Sequence, residues 1–194
     1  MTKPIVEALR QHAEMMRGLD ALVPDIAQVA DRMIQCLRKD GTIFWMGNGG
    51  SAAESQHLAA ELVGRYTRNR SGLASVALTT DTSILTAVAN DFGFETVFSR
   101  QAEALCRKGD VVVGLSTSGE SRNVLLGLRQ AKSQGAYTVA MTGTGGGSVG
   151  KAADRVLAVP SSVTARIQEA HLLIGHTLCD LIEAGFVAET RDVG

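Results

Sequence analysis

Gly109-Asp110-Val111-Val112-Val113-Gly114-Leu115-Ser116-Thr117-Ser118-Gly119-Glu120-Ser121 is the stretch whose reading decides the fold. Val111 to Leu115 is apolar without alternation, which is the pattern of a strand buried on both faces in a helix-covered parallel sheet. The run ends abruptly in hydroxyls and a glycine, where a strand hands over to a helix expected from Ser121 to about Gln134. Four hydroxyls within six residues at a helix start form an anion cradle, because hydroxyls and free backbone N–H groups converge where the helix dipole favours negative charge.

Working outward, the same grammar repeats. Thr42 to Met46, Ser75 to Thr79, Tyr137 to Met141 and Val156 to Val159 read as further strands. Helical patterns separate them: one to about Tyr66, others around 83–89 and 95–107, and a long last one from Thr164 to about Phe186. Two more helices precede the first strand, Pro4 to Gly18 with Ile5, Leu9, His12 and Met16 near one face, and Pro24 to Lys39. Strands alternating with helices predict an α/β three-layer αβα sandwich with a central five-stranded parallel sheet. A single domain over 1–194 is expected, with N-terminal helices at about 3–39 and the αβα core at about 42–188. Ligands of such sheets sit at the carboxyl ends of the strands.

Composition narrows the function classes. The formal net charge is −1 with no basic block, so no nucleic-acid partner is expected and any phosphate must be held by N–H groups and hydroxyls. Three widely spaced cysteines, Cys36, Cys106 and Cys179, form neither a C-x-x-C pair nor a disulfide framework, and read as small buried apolar residues. Neither a signal-peptide core nor an 18-residue apolar run is visible, so a cytoplasmic protein without a membrane partner is expected.

The loop after the first strand, Gly47-Asn48-Gly49-Gly50-Ser51, allows close backbone approach to a ligand, with Ser51 available to cap the next helix. It lacks the third glycine of a dinucleotide fingerprint and the Gly-Lys-Ser/Thr ending of a Walker loop, and can equally be a tight turn. On the helix it opens, His57 and Glu61 share one face at i,i+4, as a plain surface pair would. Gln168 and His176 lie two turns apart on the last helix, about 80° apart around its axis, and His171 competes as the functional imidazole. Asn90-Asp91-Phe92-Gly93 ends a helix as a turn, or faces the ligand mouth.

Taken in order, Gly47-Asn48-Gly49-Gly50-Ser51 with His57 and Glu61, Leu78-Thr79-Thr80-Asp81, Asn90-Asp91-Phe92-Gly93, Gly109 to Gly119, and Ala165-Arg166-Ile167-Gln168-Glu169-Ala170-His171 resemble the sugar isomerase (SIS) family, and within it the phosphoheptose isomerases. The resemblance implies the SIS fold and the interconversion of sedoheptulose 7-phosphate and D-glycero-D-manno-heptose 7-phosphate in heptose biosynthesis. It assigns Ser116, Thr117, Ser118 and Ser121 to phosphate, and Asn48, Gly49, Gly50, Ser51, Glu61, Asn90, Asp91 and Gln168 to substrate. His57, Glu61, Gln168 and His176 match zinc ligands, one zinc per subunit, and Glu61 and His176 match the proton-transfer pair. It also implies a homotetramer with active sites built between subunits. Glu120 departs from the pattern, since a carboxylate inside a phosphate loop must point outward. The rival from another class is a non-catalytic SIS protein that binds the replication initiator; the presence of both Glu61 and His176 favours the enzyme. An arabinose-phosphate isomerase usually carries further domains, and no helix-turn-helix suggests a regulator.

Overall fold

The computed structural model describes Thr2 to Val187. The far end of the expected core, at 188, and the ends of the expected 1–194 domain lie outside the described residues.

Helices α1 (Thr2–Arg17) and α2 (Val23–Leu37) are joined by a 3-10 turn, and Pro24 lies in the first turn of α2, where its missing N–H costs nothing. The alternation then runs β1 (Ile43–Met46), α3 (Gly50–Val63), β2 (Ser75–Ala77), α4 (Thr82–Phe92), α5 (Val97–Leu105), β3 (Val111–Ser116), α6 (Arg122–Ser133), β4 (Tyr137–Thr142), α7 (Gly147–Ala152), β5 (Arg155–Ala158) and α8 (Thr164–Val187). All five strands are parallel, in the order β2-β1-β3-β4-β5. Helix α7 has no counterpart in the sequence reading. Gly145, Gly146 and Gly147 all have positive φ, so a run that reads as loop conceals a helix start.

Strand residues alternate between two cores. Ile43, Trp45, Val111, Val113, Val139, Met141 and Leu157 face the layer of α2, α3 and α8, whereas Phe44, Met46, Val112 and Ala140 face α5, α6 and α7. Trp45 is fully buried, and its indole N–H donates to Ser75 Oγ at 2.9 Å, so the largest core side chain also ties β1 to β2. The three cysteines are free and buried, and burial pushes the Cys106 and Cys179 thiols up to about 12, in keeping with inert core residues.

On α1, Met15 is buried, but Ile5 and Leu9 are 61% and 66% exposed, so the described residues leave that apolar face uncovered. Helix α8 is long and apolar enough to cross a membrane by length and composition. Here it instead buries Ile167, Ile174, Leu178 and Ile182 against the sheet layer, and also buries the charged Glu183.

On the opposite face α6 lies directly on β3 because Gly114 has no side chain; a Cβ there would come within 2.7 Å of Val124 and 3.2 Å of Leu128. Gly114→Ala is expected to lower unfolding free energy by about 1–3 kcal/mol through overpacking, read as a reduced urea midpoint at unchanged m-value.

Candidate functional site

Strands β1 and β3 are neighbours, yet β1 leads to α3 on one face and β3 leads to α6 on the other. This is the topological switch point, where the two outgoing loops diverge and leave a crevice. Both expected loops flank it. The Asn48 and Asn123 side chains bridge it with reciprocal amide hydrogen bonds, at 2.9 Å and 2.8 Å, and Asn123 Oδ1 also accepts Val124 N–H. Asn123 was not singled out in the sequence; an amide in the first turn after the hydroxyl run was its only signal.

In the hydroxyl loop Ser116 Oγ lies 2.8 Å from Ser121 Oγ and 3.4 Å from Ser118 Oγ, so three of the four expected hydroxyls converge, with Thr117 beside them in the chain. Ser121 occupies the N-cap position of α6 without spending its side chain on a cap bond. Gly119, at φ 70°, lets the loop lie against Gly146, whose carbonyl oxygen a Cβ would approach to 2.5 Å. Glu120 turns its carboxylate to α7. It accepts Ser148 N–H at 3.1 Å and bonds the Ser148 hydroxyl, at the start of α7. The Ser148 hydroxyl, with its backbone N–H, holds this carboxyl below its ordinary value.

In the glycine loop Gly49 takes the cap position of α3 with φ 56°. Ser51, expected to cap, is instead a buried helical residue whose carbonyl accepts Ser55 Oγ at 2.8 Å. Asn90 and Asp91 lie exposed in the last turn of α4 and bond each other at 2.8 Å.

Helix α8 runs along α3 in the same direction. Gly175 faces Leu58, and the Gln168 amide occupies the space over Gly50 that a Cβ would fill. This register brings His57, Glu61 and His176 together, with ligand atoms within 4.8 Å of one another. The two imidazole Nε2 atoms are 2.7 Å apart, one donating and one accepting, and His57 Nε2 is 3.4 Å from Glu61 Oε1. Two imidazoles and a carboxylate suit zinc, and three protein ligands that leave a position open are the pattern of catalytic sites. The chain's own fold therefore gathers three of the four expected ligands. Gln168 lies over Gly50, seven residues before His57 and roughly 10 Å along α3.

His171 does not join this cluster. It is fully buried, with Nε2 3.3 Å from Thr142 O and Nδ1 facing Glu54 Oε2 across 4.0 Å, too far for a hydrogen bond. Both facing atoms are buried without a partner. A roomier hollow of about 600 Å³ lies between α1 and α8, walled by Pro4, Ile5, Ala8 and Leu9, and holds none of the expected site residues.

Residues 9–143 match the SIS domain family model, so the chain carries a SIS domain. The chain is 53% identical over 171 residues to a phosphoheptose isomerase of Akkermansia muciniphila, covering 88% of this chain and 90% of that one. It is 51% identical over 177 residues to phosphoheptose isomerase 1 of Campylobacter jejuni, covering 91% and 95%. The solved phosphoheptose isomerase of Neisseria gonorrhoeae superposes with a TM-score of 0.89 at 44% identity, covering 94% and 98%. This chain belongs to the phosphoheptose isomerase family. More distant structures, such as the sugar isomerase domain of a Sphaerobacter thermophilus RpiR transcription factor at 19% identity and TM-score 0.65, share the fold alone.

Burial pushes the Glu54 carboxyl up to about 7 and the His171 imidazole down to about 4. A raised carboxyl stabilises the fold at low pH and loses that contribution as pH rises from about 4.3 through its folded value. A lowered imidazole does the reverse, costing stability as pH falls from about 6.5. Between those limits the folded pair, with Glu54 protonated and His171 neutral, holds as many protons as the unfolded pair, so the two slopes cancel. Glu54→Gln should therefore make stability, relative to wild type, fall on acidification below about pH 6.5, by up to about 3 kcal/mol. His171→Gln should make it fall as pH rises above about 4.3. Urea titrations across this range check both, and two curves parallel to wild type would refute the assignment.

Proposed function

We infer that this chain is an aldose–ketose isomerase that interconverts sedoheptulose 7-phosphate and D-glycero-D-manno-heptose 7-phosphate by proton transfer between C1 and C2. The observation that carries this reading is the meeting of His57 and Glu61 with His176, 119 residues away in sequence from His57, in a chain that also builds a hydroxyl cradle at its switch point.

Ser116, Thr117, Ser118 and Ser121 hold the phosphate at the N-terminus of α6, where the dipole and free N–H groups replace the cations that the chain's charge does not supply. Asn48, Gly49, Gly50, Ser51, Asn90, Asp91 and Gln168 line the sugar. Starting from the ketose, Glu61 takes a proton from C1 while His176 gives one to the C2 oxygen, leaving an enediol. His176 then recovers the proton of the C1 hydroxyl as Glu61 returns its proton to C2. His57, Glu61 and His176 would hold one zinc per subunit and leave a position open for substrate; Gln168, roughly 10 Å away along α3, stands outside this set within the chain. Bound zinc would polarise the carbonyl and stabilise the charge that develops on oxygen.

The enzyme acts as a cytoplasmic homotetramer in this reading. Supporting assembly, α1 exposes Ile5, Val6 and Leu9, and Phe92 at the end of α4 and Phe94 just after it are exposed as well, apolar surface that a contact between copies would cover.

Glu61→Gln is expected to lower kcat for sedoheptulose 7-phosphate by about 10²–10⁴-fold with little change in KM, since general-base catalysis contributes on that order. Ser118→Ala should instead raise KM by about 10-fold or more, the worth of a hydrogen bond to a charged group, with kcat largely kept. Steady-state assay of the aldose product distinguishes the two. Absence of turnover in the wild type, with and without added zinc, would return the chain to a binding role.

A further inference from the structure

Glu183 is fully buried on α8, seven residues beyond His176 and so on the same face of the helix. Its carboxylate accepts three consecutive backbone N–H groups, from Tyr66 at 2.7 Å, Thr67 at 2.9 Å and Arg68 at 2.8 Å. Arg70, whose side chain is 4% exposed, pairs with it at 3.1 Å. The same guanidinium donates to the carbonyls of Glu61 at 2.8 Å, Leu62 at 2.7 Å and Gly64 at 3.1 Å, closing the end of α3. The turn after α3 is thus fastened at once to α8 and to the residue that carries the proposed base. Burial alone would raise the Glu183 carboxyl, yet the three N–H bonds and the Arg70 charge bring it below its ordinary value, so it stays ionised.

The side chain this clamp presents is Tyr66. Its ring stacks on the His176 imidazole, with centroids 5.1 Å apart and planes 27° from parallel, while His57 meets the same imidazole edge-on at 5.0 Å and 70°. An imidazole on a helix has two free torsions, and these two contacts fix both the plane of the ring and the direction of its Nε2.

We propose that Tyr66 is a positioning residue for His176, held against it by the Arg70–Glu183 pair; the inference rests on the reading of His176 as the proton donor. It acts through the ring face and not through its hydroxyl. The test compares full-length Tyr66→Ala and Tyr66→Phe with wild type. Tyr66→Ala should lower kcat for sedoheptulose 7-phosphate about tenfold, with KM within about twofold, because the substrate contacts remain. Tyr66→Phe should match wild type. In the metal-free protein, the proton NMR signals of the His176 ring should lose their ring-current shift in the Ala variant and keep it in the Phe variant. Glu183→Gln should reproduce the kcat loss, and adding Tyr66→Ala to it should cost no more, as expected of residues acting as one unit. Where Glu183→Gln does not fold, the Tyr66 variants still decide. An unchanged kcat in Tyr66→Ala, or a Phe variant as impaired as the Ala variant, overturns the proposal. His176→Ala separates the two levels. If it keeps turnover, the role of His176 itself falls. If it is dead beside a fully active Tyr66→Ala, only the positioning role falls.

Discussion

Helix α8 lies close along α3, with a glycine at each of two points of contact. A Cβ on Gly175 would come within 2.5 Å of Leu58, and one on Gly50 within 2.2 Å of the Gln168 amide. Both helices leave the carboxyl edge of the sheet, so they run in the same direction, and two close contacts, eight residues apart on α3 and seven on α8, mark their register. Every polar meeting on this face follows from that register: Gln168 over Gly50, His171 opposite Glu54, His176 against His57, and Glu183 on the turn after α3. A slide of one turn, about 5.4 Å, would separate all of them together.

The other half of the site depends on a different constraint. Asn48 and Asn123 each spend one amide N–H and one oxygen lone pair on the other across the crevice between β1 and β3. This couples the glycine loop, which belongs to the α3 face, to the hydroxyl loop, which belongs to the α6 face. Glu120 then ties the hydroxyl loop to α7, so a carboxylate that looks misplaced in the sequence serves as an anchor for the loop. Its direction is set by the N–H and hydroxyl of Ser148 at the start of that helix, an end that favours negative charge as the cradle itself does.

The fold was legible because strands buried on both faces read as mostly apolar runs, and Val111 to Leu115 does so most clearly. Helix α7 was not, since three glycines in the left-handed region carry no periodic signal. Within the site, the hydroxyl cradle is local and therefore visible in the sequence. His57 and Glu61 are visible only as an i,i+4 pair, and nothing near them announces His176. Tyr66, Arg70, Asn123, Glu54 and Glu183 were invisible for the same reason. Each acquires its role from a partner far away in the chain, apart from the bonds of Arg70 to nearby carbonyls. Ser51 was misjudged as a cap because Gly49, needing no side chain, caps by conformation alone.

Distance along α3 bears on how the two halves cooperate. The glycine loop ends at Gly50, whereas His57 and Glu61 follow it by seven and eleven residues, roughly 10 and 16 Å down the helix. Helix α3 runs back from the carboxyl edge, so within one chain the proton-transfer groups recede from the loops proposed to grip the phosphate and sugar. A substrate with its phosphate in the cradle and C1 at Glu61 of the same chain would have to follow that helix. In the tetramer we propose, the His57–Glu61–His176 cluster of one copy would instead serve the cradle of another, with the exposed apolar residues of α1 and α4 available for the contact. The rigidity of α3 and α8 then has a purpose beyond stability. A group supplied to a neighbour's substrate must hold its orientation without help from that substrate, and the clamp from Glu183 through Tyr66 to His176 lies within the chain that supplies it.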